Sequence, residues 1–182
     1  MKEQISTHST LHSSIVTEGV QRATHRSLLY SMGWDRDSLR KPLVAVVNSF
    51  SEVVPGHIHL QPLCQAIKLG IAEAGGAPLE FPSIAICDGL ATGHPGMRTP
   101  MISREIIADS IELMITAHGF DAMVLLTNCD KITPGMLMAA GRLNIPTILV
   151  SGGLFTSRLR DIKPGDRIFI ERNVYGQVRW RF

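Results

Sequence analysis

The chain is short of aromatic residues, which make up 5% of its 182 positions. That scarcity argues against a nucleic-acid binder that stacks bases on exposed rings. Neither sign of charge dominates: 18 Lys and Arg against 16 Asp and Glu leave a formal charge of +2, too little to define an anionic partner. The arginines that gather late, from Arg158 and Arg160 to Arg179 and Arg181, read as a solvated basic tail rather than a nucleic-acid patch. No apolar run approaches the roughly 20 residues of a membrane helix. The first twenty residues, with Lys2, Glu3 and several Ser and Thr, do not resemble a secretory signal. These absences predict a cytoplasmic protein with reduced thiols and no membrane partner. Cys64, Cys87 and Cys129 show no CxxC spacing, so cysteine arithmetic alone establishes no metal cluster. In a reducing compartment each is a metal ligand, a nucleophile or core, not half of a disulfide. No GxGxxG or Walker pattern follows any predicted strand, which weakens a nucleotide-binding reading. There is no internal repeat and no low-complexity tract.

What remains is a regular alternation. Residues 1–40 form a polar and then helical segment, with one helix expected over Ala23–Met32 and ended by Gly33. Pro42–Asn48 is a continuous β-branched apolar run, as expected of a strand buried on both faces. Pro62–Ala74 repeats apolar residues at helical spacing, and Gly75-Gly76 closes it. Ser83–Cys87, beginning near Leu79, reads as a second strand. A Gly- and Pro-rich loop leads to a helix capped at Ser103, with Glu105 in its first turn, and ended by Gly119. Ala122–Thr127 is a third strand. Thr133-Pro134 opens a short helix to Leu143, and Pro146–Val150 is a fourth strand. Strands separated by helices predict an α/β fold: an open parallel sheet of about four strands with helices on both faces. The α/β domain spans 41–154. Beyond it, residues 155–182 read as a tail in which Ile162–Ile170 and Asn173–Trp180 pair as a hairpin.

Polar residues of ligand type follow every predicted strand: Asn48-Ser49, Cys87-Asp88-Gly89, Asn128-Cys129-Asp130-Lys131 and Ser151-Gly152-Gly153. In open parallel sheets, ligands bind beyond the carboxyl ends of the strands. Thiolate suits iron clusters or zinc, whereas carboxylate suits Mg²⁺. A Cys-Asp pair can therefore face a soft and a hard centre at neighbouring positions. Each residue also has a plainer reading. Cys87 ends an apolar strand and suits the core as well as a ligand. Cys64 lies within a predicted helix and reads as core. Cys129, between Asn128 and Asp130, reads as a ligand. His57 and His59 are either substrate contacts or satisfied polar residues at a helix start. His94, in a stiff loop, is a functional candidate. Lys131, taken alone, is an ordinary solvated lysine.

The run Asn128-Cys129-Asp130-Lys131-Ile132-Thr133-Pro134-Gly135-Met136-Leu137-Met138-Ala139 resembles a signature of the dihydroxy-acid and sugar-acid dehydratase family. Four further segments agree in order: Val46–Ser49 with Pro55–Leu60, Cys87–Gly89 with Gly93-His94, Ser103–Ser110, and Asn144–Pro146 with Val150–Gly153. The resemblance implies an iron–sulfur, Mg²⁺-dependent lyase. It implies that Cys129 is a cluster ligand, that Asp88 and Asp130 are Mg²⁺ ligands, and that Lys131 is carbamylated and joins them. It implies a small dihydroxy acid as substrate, a 2-oxo acid as product, and a homodimer in the full-length family. Three departures accompany it. Many members carry a cluster cysteine where this chain has Gly56, which favours a [4Fe-4S] over a [2Fe-2S] cluster and leaves Cys87 as an alternative ligand. The family is considerably longer, so little turnover is expected of this chain alone. The likeness is expected to stop at Leu154.

Overall fold

A computed structural model describes residues 11–153 and the backbone of 176–178. The elements in order are α1 (Ser14–Thr17), α2 (Ala23–Ser31), β1 (Leu43–Asn48), α3 (Leu60–Glu73), β2 (Ala77–Pro82), α4 (Asp88–Ala91), α5 (Thr99–His118), β3 (Ala122–Thr127), α6 (Ile132–Leu143), β4 (Thr147–Ser151) and β5 (Gly176–Val178). The strands are ordered β2-β1-β3-β4-β5. The first four are mutually parallel, and β5 adds antiparallel to β4. The expected four-stranded parallel α/β sheet is therefore present. The expected hairpin partner, Ile162–Ile170, lies outside the described residues, and Gly176–Val178 pairs with β4.

The sequence explains why both faces are covered. Within β1, Ala45 and Val47 point to one side and Val46 to the other, as strand geometry requires. Ala45 and Val47 join Leu125 of β3 and Ile107, Ile111, Met136 and Ala139 of α5 and α6 in one core cluster. Val46 and Leu126 join Leu60 and Cys64 of α3 in a second, smaller cluster on the opposite face. Each large aliphatic side chain buried this way contributes about 1.5–3 kcal/mol before conformational entropy is counted. Cys64 is fully buried, as expected of a core residue.

Three boundaries differ from the sequence reading. The second strand is Ala77–Pro82, and Ser83–Cys87 forms neither helix nor strand. β2 is an edge strand, where Pro78 and Pro82 are tolerated because one side of the strand needs no ladder partner. The apolar run after it still packs, through Ala85, against the larger core cluster. The α5 helix begins at Thr99 with Pro100 in its first turn, so Ser103 is not its cap. Ser103 is instead buried one turn in, where its hydroxyl donates to the Pro100 carbonyl at 2.7 Å. Likewise α6 begins at Ile132, which places Thr133 and Pro134 inside its first turn. Gly119 does end α5, with φ of 66°, and Gly33 and Gly75 take positive φ after α2 and α3.

The α5 and α6 helices approach closely at Gly135. A Cβ there would stand 3.0 Å from the Arg104 carbonyl oxygen and 3.1 Å from the Ile107 Cβ. Neither neighbour is the free end of a flexible side chain, so the helices themselves must separate. Gly135→Val is expected to destabilise the chain by about 1–3 kcal/mol, and Gly135→Ala by less, because alanine regains helix propensity. Urea unfolding midpoints of the three proteins check this order.

Candidate active site at the carboxyl ends of the strands

Strand register brings the site together. Asn48, the last residue of β1, pairs with Pro82 of β2 and with Leu126 of β3. Thr127 of β3 pairs with Ser151 of β4. All four strands therefore finish in one layer, and the loops that follow meet there. Ser49 fastens the first loop to β3: its backbone N–H and its hydroxyl both donate to the Leu126 carbonyl, at 3.1 and 2.9 Å. The Asn128 amide then donates to two carbonyls, Gly56 at 2.7 Å and Gly153 at 2.9 Å. One side chain thus ties together the loops after β1, β3 and β4. His59 Nε2–H donates to the Gly152 carbonyl at 2.8 Å and strengthens the same junction.

Cys129 follows directly, with φ of 62°. The left-handed region is uncommon for a residue with a side chain, so the surrounding contacts must hold it. On the far side, its carbonyl accepts the Thr133 N–H at 3.3 Å as α6 begins. Burial pushes the Cys129 thiol up from its ordinary range, and Cys87, Asp130 and Asp88 push it the same way as neighbouring negative charges. Cys87 stands at the end of the loop after β2, and Cys129 in the loop after β3.

The carboxylates converge on Lys131. Its Nζ donates to Asp130 Oδ2 at 2.5 Å and lies 3.2 Å from Asp88 Oδ2. The hydrogen bond to Asp130, followed by that to Asp88, raises the Lys131 ammonium above its usual range. The same lysine holds Asp130 below the usual carboxylate range. Two acids from separate loops thus share one cation. Asp88 also keeps its second oxygen, Oδ1, buried without a hydrogen-bond partner. A buried acceptor in that state calls for a donor or an ion.

The histidines divide. His57 is fully buried, and its Nδ1–H donates to the Ser49 carbonyl at 2.7 Å. Its Nε2 is buried without a partner. Burial holds the His57 imidazole below its usual range, against the raising influence of the Ser49 and Asn128 backbone. His94 is exposed, and its own loop occupies both ring nitrogens: Nε2–H donates to the Leu90 carbonyl at 3.0 Å, and Nδ1 accepts the Gly96 N–H at 3.0 Å. Sequence reasoning named Asn128 and Ser49 only among the ligand-type residues after strands and did not foresee that they tie loops together. Their position at strand ends was the available signal, but their partners are backbone carbonyls, which leave no mark in the sequence.

The fold and these donors define a class: an open α/β domain whose strand-end loops carry soft thiols and hard carboxylates side by side. The chain belongs to the family described as "Dihydroxy-acid/6-phosphogluconate dehydratase N-terminal", whose profile matches residues 41–178. The match passes Leu154, where the sequence reading ended the likeness. The chain is 60% identical to the dihydroxy-acid dehydratase of Clostridium novyi (strain NT) over 143 residues, 79% of this chain and 26% of that protein. It is 53% identical to the protein of the same name from Maridesulfovibrio salexigens over 169 residues, 93% of this chain and 30% of that protein. With the protein of that name from Oleidesulfovibrio alaskensis it shares 55% identity, over the same span and shares. The chain thus spans 26–30% of the length of these curated relatives.

The residues present fit the hard cation and part of a cluster. Asp88 has an oxygen without a partner, and Asp88 and Asp130 share the Lys131 ammonium, so the two carboxylates suit a hard cation such as Mg²⁺. Cys129 and Cys87 offer two thiols. Among the described residues, no three His, Cys, Asp or Glu side chains close into one ready cage. No described helix is long and apolar enough to cross a membrane.

Two outcomes follow. Burial, assisted by Glu80, pushes the Cys64 thiol up to about 12, so at pH 8 a thiol reagent should modify Cys87 and Cys129 and leave Cys64 until the chain unfolds. Mass-mapped labelling with and without urea reads this. His57, neutral when folded, favours the unfolded state once that state takes up its proton. Stability should therefore be fully present above the unfolded value near 6.5, and fall as the pH drops from there through the lower folded value. His57→Asn should flatten that fall in melting temperature.

Proposed function

We propose that this domain serves a hydro-lyase of dihydroxy-acid dehydratase type, which converts 2,3-dihydroxy-3-methyl acids to 2-oxo acids in valine and isoleucine biosynthesis. The observation that carries the reading is the meeting of Asp88, Asp130 and Lys131 beside Cys129, at the edge of the sheet where ligands of parallel α/β folds bind. Relatives named dihydroxy-acid dehydratase at 53–60% identity support this substrate class over a sugar acid. A panel of both acids separates the two.

In this reading Cys129 holds an iron–sulfur cluster, of [4Fe-4S] type because Gly56 supplies no thiol, and Cys87 is its second thiolate. Asp88, Asp130 and a carbamylated Lys131 hold Mg²⁺. When bound, the cluster supplies a Lewis-acidic iron for the departing hydroxyl, and Mg²⁺ supplies a hard cation for the carboxylate and the adjacent hydroxyl. The chain's own residues prepare the place. As an ammonium, Lys131 offsets one of the two negative charges; as a carbamate, it adds a third anion and makes a divalent cation necessary. The clamp of Asn128 and Ser49 keeps the loops from spreading. His57 lies wholly inside, its Nδ1–H held by Ser49, which leaves Nε2 as the acceptor. His94 shapes the loop after Asp88.

Anaerobic reconstitution of the chain with iron and sulfide tests this. Stoichiometric iron and acid-labile sulfide are expected, lost in Cys129→Ala and reduced in Cys87→Ala. Retention of full iron by Cys129→Ala contradicts the assignment. Mg²⁺ affinity measured by calorimetry should fall by about tenfold or more in Asp130→Asn and in Lys131→Ala.

A further inference from the structure

We infer that Asn128 is a positioning residue for the Cys129 thiol, through its double hydrogen bond to the carbonyls of Gly56 and Gly153; the inference rests on the reading of Cys129 as a ligand. The two acceptors lie 72 and 25 residues away along the chain, so no local structure brings them together. Both hydrogens of one amide nitrogen are used. A hydroxyl has a single hydrogen to give, and a carboxylate has none and would set a negative oxygen against two carbonyl oxygens. A primary amide of this length is thus the group the geometry asks for.

The consequence falls on the next residue. Cys129 has φ of 62°, and on its other side the start of α6 takes its carbonyl through the Thr133 N–H at 3.3 Å. Thr127, just before Asn128, is buried, with its hydroxyl 3.1 Å from that of Thr133. The turn is therefore fixed on both flanks, by the amide clamp before it and by the helix after it. If the clamp opens, the α6 side alone cannot hold a left-handed cysteine, and the residue relaxes to an ordinary backbone conformation that redirects its side chain. The partner loop is itself rigid: Ser49 bonds to the Leu126 carbonyl twice, and the fully buried His57 ring next to Gly56 is anchored on Ser49. Gly153, on the third loop, follows Gly152, where a Cβ would run into Leu60 and His59. Both anchors of the clamp are thus held independently of Asn128.

The test uses the metal-free 182-residue chain and a thiol-alkylating reagent, iodoacetamide, with each cysteine followed separately by mass spectrometry. In Asn128→Ala, which removes the donors without adding charge, Cys129 should alkylate faster, by roughly three- to tenfold for the loss of two hydrogen bonds. Cys87 should keep its rate, and Cys64 should stay unmodified. Equal rates for Cys129 in variant and parent overturn the inference. If Asn128→Ala exposes Cys64, Asn128→Leu, which keeps the side-chain volume without the donors, is scored in the same way. If both variants expose Cys64, Asn128 acts in folding and the inference is overturned. In reconstituted protein, the Ala variant should also change the electron paramagnetic resonance signature of the reduced cluster. Because alkylation is read without metal, a chain that binds no cluster yet shows the Cys129-specific change sinks the functional reading and keeps this one.

Discussion

Everything at the site depends on the parallel register of the four strands. Pairing Asn48 with Leu126, and Thr127 with Ser151, makes the strands end together. A slip of one residue would exchange the faces of Ala45, Val46 and Val47, and with them the two core clusters that lie on opposite sides of the sheet. Those clusters hold the register, and the register delivers four loops to one edge. Asn128 and Ser49 then lace the loops together with bonds to backbone carbonyls. The order of causes runs from apolar patterning, through strand pairing, to the placing of Cys87, Asp88, Cys129, Asp130 and Lys131.

The charges at that edge are only partly offset by the protein itself. Lys131 sits between two carboxylates and neutralises much of their repulsion. Asp130 is largely exposed, so its ion pair adds little to stability; its interest lies in what the arrangement can accept. Asp88 is mostly covered and has an oxygen without a partner. Conversion of the lysine to an anion would bring three negative groups together and make the cluster strongly cation-seeking.

The sequence disclosed much of this, and its failures have physical causes. The strands buried on both faces, Leu43–Asn48 and Ala122–Thr127, announced themselves as unbroken apolar runs. The edge strand did not: Pro78, Glu80 and Pro82 look unlike a strand, whereas Ser83–Cys87 looks like one and instead packs beyond the sheet. Ser103 imitated a helix cap because serine is a good cap, yet its hydroxyl bonds back into its own helix. Cys129 and Asp130 drew notice from their place after a strand, whereas Lys131 stood out only through the long signature around it, and Asp88 was reached by way of a strand that the fold does not contain. The strain at Cys129 was not legible, since cysteine gives no hint of positive φ. Nor were the partners of Asn128, which are carbonyl groups of two glycines far along the chain.

The central claim is that the strand-end loops hold iron at Cys129 and a hard cation between Asp88 and Asp130. Anomalous X-ray scattering at the iron edge, from crystals of the anaerobically reconstituted protein grown with Mg²⁺, addresses it most directly. The account predicts iron bonded to the Cys129 sulfur and a separate light cation bridging Asp88 and Asp130. Iron located away from Cys129, or the Lys131 ammonium still bridging two acids with no cation beside them, would contradict it.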